Sequence, residues 1–241
     1  MDYLSSIDMD TLADSILLDC FHDEYEKEHK AVNIDILAGR YLGLDISYRK
    51  LSEDGHILGL TTYSDVNIEL QRGGSHELVC LKKDSLVLEK ALLEGSNGRR
   101  RFTVAHETAH QILFRCYGGN TILNYMTQMP DKKALSEKEC HSEESRKEWQ
   151  ANRLGASLLM PVKSICYWME TLNYSFPLIF RNNRLDARDS RILAELLECF
   201  AVSRTAMLIR LEQLGFILNE PENALEPDVF FRLKRGGSTG S

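Results

Sequence analysis

Five consecutive residues could do chemistry in this chain: His106-Glu107-Thr108-Ala109-His110. They read H-E-x-x-H. On a helix, residues four apart project from one face, so both imidazoles can reach one metal ion. The glutamate between them is rotated off that axis and can hold a water on the metal. This is the minimal equipment of a zinc peptidase. A catalytic zinc takes three protein ligands and keeps a fourth position open for water. Two histidines therefore leave one ligand to find.

The third ligand must come from another element. Glu148-Trp149-Gln150-Ala151-Asn152 lies in a second strongly helical stretch. There Glu148 and Asn152 share a face. Ala151 and Gly155 flank them, and such small side chains let two helices approach closely. Glu148 can be the third ligand; the alternative is a solvated helix charge. Glu144 competes with it, but only Glu148 has an asparagine one turn on. Asn152 can hydrogen-bond a ligand from behind the metal, or serve as a cap or buried structural amide.

These blocks carry a resemblance. Arg101-Phe102-Thr103-Val104-Ala105-His106-Glu107-Thr108-Ala109-His110 resembles the R-F-T-x-A-H-E-x-x-H block of ImmA/IrrE family metallopeptidases. Glu148 to Asn152, followed by Ala156-Ser157-Leu158-Leu159-Met160-Pro161, resembles that family's E-x-x-A-N-x-x-A-x-x-L-L-M-P stretch. The blocks occur in the family's order, and the likeness runs roughly over residues 30–217. Thr108 stands where the family often has an apolar residue, at a position that is not a ligand. The resemblance implies a compact zincin-like domain with His106, His110 and Glu148 as zinc ligands and Glu107 as catalytic base. It also implies a narrow protein substrate, a helix-turn-helix repressor of the XRE type, whose cleavage derepresses genes. Tyr117, Tyr125 and His141 are near enough in sequence to assist the oxyanion, and no spacing singles one out.

The elements that must position these groups follow from periodicity. Residues 1–30 read as helical, and a short helix is expected over 34–42. Residues 44–51, 57–63, 66–70, 78–81 and 86–88 read as strands of a small, mainly antiparallel sheet. Residues 95–100 read as a loop into the motif helix at 101–116. That helix has a stripe of Phe102, Ala105, Ala109, Ile112, Leu113 and Cys116, with the histidines at its edge, where a core-facing helix meets a cleft. Residues 120–147 read as a long polar loop or a partly helical insertion, 143–160 as the second helix, and 166–172 as another. Residues 175–188 read as connecting, and 190–200 and 204–214 as helices. The fold class expected is α+β: a zincin-like domain over 1–172, a helix-turn-helix-like segment over 173–217, and a tail over 218–241 whose last residues, 236–241, look appended.

Composition bounds the rest. A chain of 241 residues with 43% hydrophobic content is long enough to bury a core in one or two domains. A net charge of −7 argues against nucleic acid or a membrane surface as the main partner. Six cysteines without C-x-x-C spacing read as reduced thiols. The acidic start lacks the features of a signal peptide, and no apolar run approaches membrane-span length. The expectation is a cytoplasmic protein. His141 beside Cys140 reads as a loop histidine, and His22, His29, His56 and His76 as surface groups. The 193–206 stretch resembles a helix-turn-helix. Over 191–217, however, Arg191, Arg204 and Arg210 are balanced by Glu195, Glu198 and Glu212. That balance favours packing or protein recognition over DNA binding.

Overall fold

The structure, a computed structural model, describes residues 4–72, 75–118, 125–128, 142–174, 177–181 and 184–220. Ser5 and Asp8 cap the first helix reciprocally, each side chain bonded to the other's backbone amide. This helix, α1 (Ser6–Phe21), buries Met9, Ala13 and Leu17, a stripe of every fourth residue. The short α2 (Asp23–Glu28) follows, then α3 (Ile34–Ile36), which runs into a π-helical turn at Leu37–Tyr41.

Five strands come next: β1 (Asp45–Arg49), β2 (Ile57–Thr61), β3 (Val66–Arg72), β4 (Ser75–Leu81) and β5 (Ser85–Glu89). Together with β6 (Tyr125–Gln128), three of them form a four-stranded sheet of order β1-β5-β2-β6. β2 pairs antiparallel with β5 and β6, but β1 pairs parallel with β5, so the sheet is mixed rather than purely antiparallel. A parallel pair needs a crossover, and here β2, β3 and β4 lie between its two strands. β3 and β4 form a separate hairpin that lies over one face of the sheet. Ile68, Leu70, Val79 and Leu81 of the hairpin pack there with Leu60 and Val87.

The other face carries the motif helix, α4 (Asn97–Tyr117). It begins four residues before the expected start, because Asn97, Gly98, Arg99 and Arg100 are helical. It is also not a surface helix. From Thr103 to Leu113 every residue is buried. α5 (Glu143–Leu159) packs on its far side. Ser142 caps α5 in a reciprocal bond with Ser145, and the helix stops at Met160 before Pro161. A β-carbon on Gly155 of α5 would lie 3.2 Å from the backbone of Ala105 and His106. That is tighter than most such contacts, so a residue without a side chain eases the close crossing.

α6 (Val162–Thr171) leads to β7 (Leu178–Arg181) and β8 (Arg184–Leu185), within a stretch expected to be connecting. α7 (Ala187–Phe200) and α8 (Arg204–Gln213) form the helix-turn-helix-like pair, joined through left-handed Ala201. β9 (Ile217–Glu220) then pairs parallel with β7, giving a second sheet of order β8-β7-β9. The main core is continuous from Met9 to Leu211 and includes Leu193, Leu196, Phe200 and Met207 of the helical pair. Among the described residues no helix is long and apolar enough to cross a membrane.

Candidate metal centre

α4 presents His106 and His110 toward α5, where Glu148 meets both. The Nε2 atoms of the two histidines are 3.0 Å apart. Glu148 places Oε2 3.3 Å from His106 Nε2 and Oε1 3.2 Å from His110 Nε2. Zinc with nitrogen and oxygen ligands at about 2.0–2.2 Å in a tetrahedral site separates neighbouring ligand atoms by about 3.3–3.6 Å. The two nitrogens are a few tenths of an ångström closer than this, each carboxylate oxygen lies beside a different nitrogen, and one donor atom from each residue lies within 4.8 Å of the others. The donor set therefore fits a metal ion in chemistry and in size. Glu144, the competing carboxylate, is exposed and takes no part.

Asn152 sits one turn beyond Glu148, and its Oδ1 is 3.0 Å from His106 Nδ1. An amide oxygen only accepts, so Nδ1 carries a proton, and with a metal bound the Nε2 lone pair would be the one to face it. His106 and His110 are 2% and 4% exposed, whereas a third of the Glu148 side chain reaches solvent. The centre is thus closed on the helix side and open past Glu148.

Electrostatics agree with a cation site. Burial pushes the proton affinity of His106 down, but the hydrogen bond it donates to Glu148 and the charges of Glu107 and Glu148 outweigh it, and the net shift is upward. Burial prevails at His110, whose pKa falls below its ordinary value. Burial opposes the charge on Glu148, yet hydrogen bonds from both histidines hold its carboxyl well below the usual range. One negative charge beside two imidazoles is a configuration that a divalent cation completes.

Glu107 is fully buried on the side of α4 that faces β2. Further along that face, Gln111 Nε2 donates to Thr61 Oγ1 at 2.8 Å and to the Thr62 carbonyl at 2.9 Å. The Phe114 ring stacks on Tyr63 at 4.1 Å. Glu107, Gln111 and Phe114 therefore track β2 and the residues just after it, while the histidines track α5.

The structure brings His106, His110, Glu148 and Asn152 together, whereas the Glu107 carboxylate lies buried on the β2 side of the same helix. Tyr117, a candidate for oxyanion assistance, ends α4 two turns past His110 and packs against the main core. The Tyr125 side chain, His141 and the His76 side chain lie outside the described residues. His29 is not a free surface group: its Nδ1 is 3.2 Å from Ser164 Oγ, and its ring stacks on Tyr167.

Sequence reasoning missed the groups that hold the site's frame. Arg101 is buried and donates to the carbonyls of Val32, Phe200 and Ala201, tying α4 to the end of α7. Asp10 accepts from Arg153, Ser157 and Arg210, tying α1 and α8 to the helix that carries Glu148. Gly59 was also missed, although a glycine inside a strand is itself a signal of close approach.

No protein-family model matches the chain, and no curated protein matches it. The likeness to ImmA/IrrE peptidases therefore rests on the two sequence blocks.

Proposed function

We propose that this chain is a zinc-dependent endopeptidase that cuts a specific protein substrate, a helix-turn-helix repressor of the XRE type, and so derepresses genes. One observation carries the peptidase reading. The donor atoms of His106, His110 and Glu148 converge at metal spacing, with the carboxylate of Glu107 buried on the same helix. The repressor as substrate rests on the resemblance alone.

When bound, zinc would acidify a water and polarise a peptide carbonyl. Glu107 would accept the water's proton on its carboxylate and return it to the leaving amine. Its burial keeps bulk water from taking that proton instead. Asn152 keeps His106 in the tautomer that presents Nε2, and the exposed edge of Glu148 marks the side from which a peptide reaches the centre.

For the α7–α8 pair, packing and protein recognition are favoured over DNA binding. Arg210 is completely buried, so it belongs to no surface. Over 191–217 the exposed charges are Arg191 and Arg204 against Glu195, Glu198 and Glu212. Arg184 of β8 and Arg188 of α7 are exposed, with exposed Asp186 between them, and leave that edge a local excess of one basic group. DNA retardation at several salt concentrations is therefore the necessary control.

The test uses purified protein and an XRE-type helix-turn-helix repressor, sought first among products of genes adjacent to its own. The chain should hold about one zinc. Glu107→Gln should keep that zinc and lose about two or more orders of magnitude in cleavage. Lack of stoichiometric zinc after resupply, or near wild-type cleavage by Glu107→Gln, refutes the reading. Bound zinc with tight, sequence-specific DNA binding and no cleavage would instead make the chain a regulatory binding module.

A further inference from the structure

β2 breaks its own alternation at the point where it meets Glu107. Ile57 and Leu60 face the hairpin core, whereas Leu58 packs in the main core on the helix side. Gly59 and Thr61 also face the helix. Leu58 and Gly59 are consecutive yet lie on one side. The pairing with β6 shows why: Ile57 faces Gln128 and Gly59 faces Thr127, so two steps of β2 match one step of β6. This is a β-bulge, a device that re-aims a strand locally. Past it the order is regular, with Gly59 opposite Leu88 and Leu60 opposite Val87 on β5.

The bulge delivers Gly59 onto Glu107. A β-carbon at position 59 would lie 2.4 Å from Glu107 Oε1 and 2.9 Å from its Cγ and Cδ. Gly59 is not among the positive-φ glycines, which are Gly43, Gly55 and Gly215. Its backbone is one that alanine adopts freely, so only space requires the glycine. Glu107 is fully buried and cannot swing aside into solvent.

We propose that Gly59, presented by the β2 bulge, is the positioning residue for the Glu107 carboxylate, whose seat exists only because position 59 has no side chain. The inference rests on the peptidase reading in treating Glu107 as the base; the seat itself is geometric.

The test needs no substrate. Thermal midpoints are measured on metal-free and zinc-loaded protein for wild type, Gly59→Ala, Glu107→Ala and the double variant. Visible absorption of the cobalt-loaded proteins reads the metal's surroundings. Leu60→Val, on the same strand but facing the other core, controls for a merely weakened strand. Gly59→Ala should lower the midpoint by about 5 °C or more. In the Glu107→Ala background the same change should cost less than about 2 °C, because the space is then free. Gly59→Ala should shift the cobalt spectrum toward that of Glu107→Ala, whereas Leu60→Val should leave it as in wild type. If Gly59→Ala fails to fold, the double variant should fold. Equal losses in both backgrounds, an unshifted cobalt spectrum in Gly59→Ala, or a double variant that also fails to fold would overturn the proposal. A wild-type chain that binds zinc but cuts no repressor refutes the peptidase reading instead and leaves the coupling intact.

Discussion

Removing the Asp10 carboxylate should destabilise the whole protein, although Asp10 lies far from the metal ligands in sequence. Its Oδ1 accepts from Arg210 at 2.7 Å and from the Ser157 hydroxyl at 2.6 Å, and its Oδ2 accepts from Arg153 at 2.9 Å. Arg210 is 0% exposed and Arg153 3%, and Asp10 is the carboxylate that both guanidiniums are bonded to, with Asp14 adding a weaker countercharge to Arg210. Burial, resisted by Asp10, already holds the Arg210 pKa down to about 10. Breaking a buried pair costs about 3–5 kcal/mol, because a charge is left without its partner. Asp10 is itself 21% exposed, Arg210 keeps the Met160 carbonyl, and Arg153 keeps Gln213. The lower end, about 3 kcal/mol, is therefore expected. At about 2–4 °C per kcal/mol for a chain of this size, Asp10→Ala should lower the thermal midpoint by about 6–12 °C. The assay is far-ultraviolet circular dichroism on zinc-loaded protein at neutral pH. Asp23→Ala, which removes only the exposed pair with Lys27, should shift the midpoint by less than about 2 °C. If Asp10→Ala falls no further than Asp23→Ala, the two arginines are not held as described and the reasoning fails.

Two further predictions concern the metal. Asn152→Ala should weaken zinc binding by about 10–100-fold, because His106 loses the acceptor that fixes its tautomer; competition against a chromophoric chelator reads this, and unchanged affinity would make Asn152 a structural amide only. Zinc affinity should also fall in acid, starting above pH 6.5. The His106 pKa is raised, so as pH drops through it a proton occupies the site and zinc must displace it, at about tenfold in affinity per pH unit. His110 and Glu148, both shifted down, add their competition only at lower pH. Affinity that stays flat below pH 6 would show that the competing proton is not on the ligands.

Elements with local signatures were legible, and elements defined by distant partners were not. α5 announces itself through its cap, its apolar stripe and Pro161. The strands β1 to β5 show extended, β-prone runs separated by turn residues. β7 and β9 are four-residue strands, and each has its parallel partner across the intervening helices α7 and α8. Nothing in a four-residue window reports such a pairing. The start of α4 was misread for a different reason. Gly98 looks like a loop residue, but it is there for space: a β-carbon would lie 2.8 Å from the Ser203 backbone nitrogen and 3.0 Å from Val202. The helix tolerates glycine because the α7–α8 turn lies directly against it.

The candidate ligands were legible because their geometry is set within single helices. His106 and His110 are one turn apart whatever surrounds them, and Glu148 and Asn152 likewise. The surroundings of Glu107 were not, because α4 uses its polar residues in an unusual way. A helix with Thr103, Glu107, Thr108 and Gln111 on one side and an apolar stripe on the other reads as half-exposed. Here both sides are buried. The histidine side meets a helix whose small residues allow close approach, and Gly155 is the point of contact. The Glu107 side meets a strand that had to bulge and shed a side chain to receive a carboxylate. Placing two candidate ligands and the proposed base on one helix fixes their mutual geometry. It also forces the polar face inward, so the protein must supply a tailored partner on each side. Those partners, β2 and α5, lie some 50 residues before and 40 after the motif, roughly, and are the part that spacing within the motif cannot reveal.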